Sequence, residues 1–96
     1  MKAILCKSYG PPENLVLEEV QDLNPKEGEA LVDVHSAALN FPDTLQIAGE
    51  YQYQPPLPFI PGSEASGIII ELGSNIKGLE IGDRVMAVPG VGAMAE

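Results

Sequence analysis

The chain has 96 residues, 14 Asp or Glu against five Lys or Arg, and a formal net charge of −9. Such an acidic balance argues against nucleic acid and anionic membrane as partners, because both are polyanions that select basic surfaces. Its length sets one domain, residues 1–96, with a modest core, and the single cysteine excludes an internal disulfide and any multi-cysteine zinc site.

Ten glycines, nine prolines and only 5% aromatic residues point to a mainly β, loop-rich module. No apolar run approaches the roughly 20 residues that cross a bilayer. Polar Lys7 and Ser8 come too early for an apolar leader, so the expected location is cytoplasmic.

Lys2 to Lys7 reads as a first strand, with Cys6 an inert thiol inside it, since no neighbouring His or helix N-terminus would favour the thiolate. Gly10-Pro11-Pro12 turns the chain, and Leu15 to Val20 alternates as a second strand that pairs back on the first. After the polar turn Asn24 to Gly28, a third strand places Ala30, Val32 and Val34 on one face and Asp33 and His35 on the other. It ends at Asn40.

Pro42 to Ala48 is predicted as a short helix: Pro suits a first turn, Asp43 complements the positive N-terminal end, and Gly49 suits a left-handed stop. The run EYQYQPPLPFIPG that follows is too rich in proline for a helix or a central strand, so an extended loop carrying three aromatic rings is expected. Ala65 to Leu72 is rich in β-branched Ile and is predicted as a strand covered on both faces, with Ile68, Ile70 and Leu72 on one and Ile69 on the other. Gly82-Asp83 is predicted as the two-residue loop of a hairpin between LEI and RVM, and VMAV as strand.

Few constellations carry chemistry. Cys6 and His35 are far apart in sequence from each other and from the Gly62-Ser63-Glu64 corner, which leaves no metal-ligand set. GVGAMA, from Gly90, matches the loose GxGxxA dinucleotide pattern but has no room for the helix that would hold a pyrophosphate. There is no P-loop, no GxSxG, and no nucleophile with a local base.

The pieces LNFPDTLQIAGEYQYQPPLPFIPGSEASGIIIELGSNIKGLEIGDRV, in that order, resemble the N-terminal GroES-like domain of the medium-chain dehydrogenase/reductase superfamily, with its zinc-free quinone oxidoreductase branch the best match. The resemblance implies a partly open GroES-like β-barrel with one short helix. It also implies an oxidoreductase that takes hydride from NADPH and gives it to a quinone or enone. NADPH would be bound mainly by a second, nucleotide-binding domain outside residues 1–96, so the chain alone would be inactive. The full-length protein would be a homodimer.

In zinc-dependent members a cysteine matches Asn40 and a histidine matches Ser63, so no catalytic zinc is expected. Asn40 matches the residue whose amide lies near nicotinamide and substrate, and is the candidate catalytic, substrate-binding and cofactor-binding residue. Tyr51 matches an aromatic wall of the substrate pocket. Leu45 and Ile47 stand where related enzymes often carry tyrosine and arginine, which implies a more apolar acceptor pocket and leaves enoyl or acryloyl thioester reductases open. A co-chaperonin-like binding module on the same barrel, with the proline loop as its contact arm, is the alternative from another class.

Overall fold

The computed structural model describes residues 1–96. It contains β1 (Lys2–Leu5), β2 (Val16–Glu19), β3 (Ala30–Ala37), α1 (Phe41–Ala48), β4 (Ala65–Leu72) and β5 (Arg84–Ala87), with a 3-10 turn at Pro12–Asn14. The class is the expected one, mainly β with a single α-helix. The strands form a two-stranded sheet, β1-β2, and a three-stranded sheet, β3-β4-β5, and neither closes into a complete barrel.

β1 and β2 pair antiparallel with Lys2 opposite Glu19 and Leu5 opposite Val16, as the alternation predicted. β1 stops two residues short of Lys7, and Cys6 instead forms an isolated bridge to Phe59 of the proline loop. The last residues clip the two sheets together. Ile4 N–H donates to the Met94 carbonyl at 3.0 Å, Glu96 N–H to Lys2 at 3.0 Å, and Val34 N–H to Glu96 at 3.1 Å.

β3 pairs with β4 through two register shifts. Val34 faces Gly67 and Ser36 faces Ser66, so His35 is the extra residue on β3; Leu31 faces Glu71 and Val32 faces Ile69, so Ile70 is the extra residue on β4. Such bulges break the strict alternation of a strand. This corrects the expectation that β4 is covered on both faces: Ile69 is 1% exposed but Ile70 is 51% exposed. The Gly82-Asp83 hairpin is also corrected. Leu79 to Ile81 form no strand, because Gly82 N–H donates to the Ile69 carbonyl at 2.8 Å and Ile69 N–H to that of Asp83 at 3.0 Å. The segment thus pairs with β4 rather than with its own continuation, and β5 opens with Arg84 opposite Ile68.

Helix α1 begins one residue earlier than predicted, at Phe41, with Pro42 tolerated in the first turn and Gly49 closing it in the left-handed conformation at φ 78°. Its inward face carries Asp43, Gln46 and Ile47 at i, i+3 and i+4. Ile47 packs with Cys6 and Phe59 into a small core that Leu15 and Val91 flank. That contact docks the helix against β1 and the proline loop.

Candidate functional site

Asn40 is the N-cap of α1, held extended at φ −128° and ψ 158°. Its backbone N–H donates to the Asp43 carboxylate at 2.8 Å, and Asp43 N–H donates to the Asn40 carbonyl at 3.0 Å. The two residues form a capping box: the Asp43 carboxylate accepts from the Asn40 N–H, and the Asn40 side-chain oxygen faces the Asp43 N–H. The oxygen end of the half-buried Asn40 carboxamide is thus turned to the helix start, while its Nδ2 donor makes no hydrogen bond within the chain. Its sequence neighbours Leu39, 80% exposed, and Phe41, 74% exposed, place apolar side chains on either side.

The Gly62-Ser63-Glu64 corner lies beside this cap. Ala38 N–H donates to the Glu64 carbonyl at 3.3 Å, which ties the end of β3 to the start of β4. Behind it, Ala93 N–H and Met94 N–H donate to the Gly62 and Pro61 carbonyls, both at 3.0 Å. Gly62 has φ 102°, and a Cβ there would stand 3.0 Å from both Ala93 Cβ and Met94 Cγ, so only glycine fits without displacement.

Tyr51 is half-buried just past the other end of α1, separated from Asn40 by eight helical residues, or roughly 12 Å of rise. Its N–H donates to Gln54 Oε1 at 2.9 Å, while Gln54 Nε2 donates to the Gln46 carbonyl at 3.0 Å and Gln46 Nε2 to that of Tyr53 at 3.3 Å. The two candidate residues thus flank α1, one at its N-cap and one past its C-cap, and neither lines the groove at the Gly62-Ser63-Glu64 corner. A groove of about 430 Å³ borders the corner, with Ala38, Glu64, Ala65, Met86 and Val88 in its walls.

The other expectations divide. Ile47, expected at the acceptor pocket, is 5% exposed and belongs to the core, so its apolar side chain says nothing about an acceptor; Leu45 is half-buried. His35 and Asp33 share the face expected for them and lie 3.5 Å apart, both exposed. Cys6 is buried, and desolvation raises its pKa, with the Ser8 backbone acting weakly in the opposite direction. No group of three or more His, Cys, Asp or Glu side chains comes together as a metal site. Sequence reasoning missed Gln46 and Gln54. The only signal for Gln46 was its place three residues after Asp43 on the face that also holds Ile47.

A profile of the alcohol dehydrogenase GroES-like domain matches residues 26–96. A quinone oxidoreductase-like protein 2 homolog of Nematostella vectensis is 43% identical over 97 residues, covering 99% of this chain and 26% of that protein. An acryloyl-coenzyme A reductase of Sulfurisphaera tokodaii is 43% identical over 88 residues, covering 92% of this chain and 25% of that protein. Among solved structures, the Escherichia coli quinone oxidoreductase complexed with NADPH superimposes with a TM-score of 0.86 at 35% identity, covering 92% of this chain and 27% of that one. The chain thus spans about a quarter of the length of the relatives it matches.

Proposed function

Since the chain belongs to the GroES-like domain family of the medium-chain dehydrogenase/reductase superfamily, we propose that it is the substrate-side domain of an oxidoreductase. The hydride donor in this proposal is NADPH and the acceptor a quinone or related conjugated carbonyl. Nucleotide binding falls mainly to the rest of a longer, homodimeric protein, and residues 1–96 alone are inactive.

The observation that carries the proposal is the Nδ2 donor of Asn40, which has no partner within the chain and stands at the start of α1 between exposed Leu39 and Phe41. An unpaired amide N–H fits donation to a nicotinamide carboxamide oxygen or to an acceptor carbonyl oxygen. NADPH, when bound, supplies the hydride. Asn40 Nδ2–H would donate to the carbonyl oxygen on which charge develops, in the manner of other preorganised donors. Leu39 and Phe41 would cover the acceptor and exclude water. Tyr51, at the far end of α1, would touch the part of the acceptor remote from its carbonyl.

The donor set does not fit a catalytic zinc, because Asn40 and Ser63 offer an amide and a hydroxyl where zinc would take thiolate and imidazole. No step is routed through a metal. A second acceptor class, the α,β-unsaturated thioesters, is favoured by the similarity to an acryloyl-coenzyme A reductase.

The test is NADPH oxidation by the full-length protein that contains this chain, with benzoquinone and an acryloyl thioester compared. Quinone-dependent oxidation that survives a chelator supports the proposal, and faster turnover of the thioester selects the second acceptor. Failure to oxidise NADPH with either substrate, or turnover by residues 1–96 alone, would sink it.

A further inference from the structure

Two oxygen atoms beneath α1 are buried without a partner: Oδ1 of Asp43 and Oε1 of Gln46, on side chains 5% and 3% exposed. The rest of each side chain is committed. Asp43 accepts from Asn40 N–H at 2.8 Å, and Gln46 Nε2 donates to the Tyr53 carbonyl at 3.3 Å, which fixes the amide with its oxygen on the unpaired side. Leaving a buried acceptor unpaired costs on the order of 1–3 kcal/mol, so two together call for a donor. Residues at i and i+3 of a helix are neighbours on one face, so the two unpaired oxygens belong to adjacent side chains turned toward the same interior.

We propose that Asp43 Oδ1 and Gln46 Oε1 hold one buried water molecule between them, and that it completes a hydrogen-bonded chain running beneath α1 from Asn40 to Tyr51. The stoichiometry selects water: two acceptors lack donors and one water carries two O–H groups. A hard cation would ask for more oxygen ligands than these two. With the water in place the contacts run from Asn40 N–H to the Asp43 carboxylate and through the water to the side-chain oxygen of Gln46; the main-chain carbonyl of the same residue accepts from Gln54 Nε2, and Gln54 Oε1 accepts from Tyr51 N–H, so Gln46 itself joins the two halves. Asp43, Gln46 and Gln54 are then positioning residues that hold both ends of the helix in one alignment. The water site stands on burial and pairing alone, whereas its importance for catalysis rests on the reading of Asn40 and Tyr51 given above.

A crystal structure of this chain that orders its internal waters tests the site directly. One water within about 3.2 Å of both oxygens is expected. Finding each oxygen paired to a protein donor with no water between them overturns the proposal. In solution, magnetic relaxation dispersion should count one fewer long-lived water in folded Gln46→Met than in wild type, and the backbone amide resonances of Asn40 and Tyr51 should both shift. An unchanged water count, or a shift at Tyr51 with Asn40 unmoved, overturns it too. Should Gln46→Met not fold, the wild-type crystal structure decides. A failed turnover assay would remove the proposed function and leave this water in place, so the two ideas fail separately.

Discussion

Asp43 takes the backbone N–H of Asn40 at 2.8 Å, and the Asn40 side-chain oxygen faces the Asp43 N–H in return, a reciprocal capping box. The carboxylate is committed to the helix start, whereas the Nδ2 donor of Asn40 is left without a partner in the chain. The division of labour separates a structural carboxylate from a candidate functional carboxamide three residues away, and mutation can tell them apart.

Asp43→Ala should destabilise the chain by about 1–3 kcal/mol, because it removes a buried, charge-assisted acceptor and leaves Asn40 N–H unpaired. Asp43→Asn keeps an acceptor in place and should cost less. Urea denaturation followed by circular dichroism measures both, and equal losses would contradict this account of the cap.

Asn40→Ala should combine a modest structural cost with a kinetic one. Removing an N-cap Asn typically costs ~1 kcal/mol, and a loss of about that size is expected from giving up its half of the capping box. In the full-length protein the same change should lower kcat/KM for a quinone by about ten- to a hundredfold, the value of one hydrogen bond made to the transition state. A large stability loss with unaltered kinetics would return Asn40 to a purely structural role.

Gly67 and Gly78 make a matched pair. A Cβ on Gly67 would lie 2.0 Å from the Asp33 carbonyl oxygen, which is backbone in the neighbouring strand and cannot give way without parting β3 from β4. Gly67→Ala should therefore cost about 3 kcal/mol or more. At Gly78 nothing lies within 4 Å and the strain comes only from φ 82°, so Gly78→Ala should cost about 1 kcal/mol. Thermal melts of the two variants check the order.

The Cys6 thiol gives a pH signature. Burial raises its pKa, so the folded chain keeps the thiol proton to a higher pH than the unfolded chain does. Below the ordinary thiol range both states hold the proton and stability is unaffected. As pH rises through that range the unfolded state deprotonates first and stability falls. The drop in urea midpoint between neutral and alkaline pH should be larger for wild type than for Cys6→Ala. Native Cys6 should also react slowly with a thiol reagent and quickly once denaturant is added.

Much of the architecture was legible from local signals. The alternation around β1 and β2 predicted their pairing, and Pro42, Asp43 and Gly49 marked α1 to within one residue, because these signals act on neighbours a few positions apart. The candidate site was legible only as a family correspondence. Nothing in the residues themselves indicated that the Asn40 Nδ2 donor would be left unpaired, or that Gln46 and Gln54 would link α1 to Tyr51.

The sequence by itself determined the element types, the acidic surface and the glycine and proline positions at which the chain turns. Only the tertiary structure decided which faces are covered. Period-2 alternation says which residues share a side of a strand, not whether anything packs there, and one inserted residue reverses the sides beyond it. Hence Ile70 is left open while Ile69 is buried, Ile47 goes to the core rather than to a pocket, and Gly82-Asp83 pairs with β4 instead of closing a hairpin. Each of those outcomes depends on partners distant in the chain, chosen by the packing of the whole molecule.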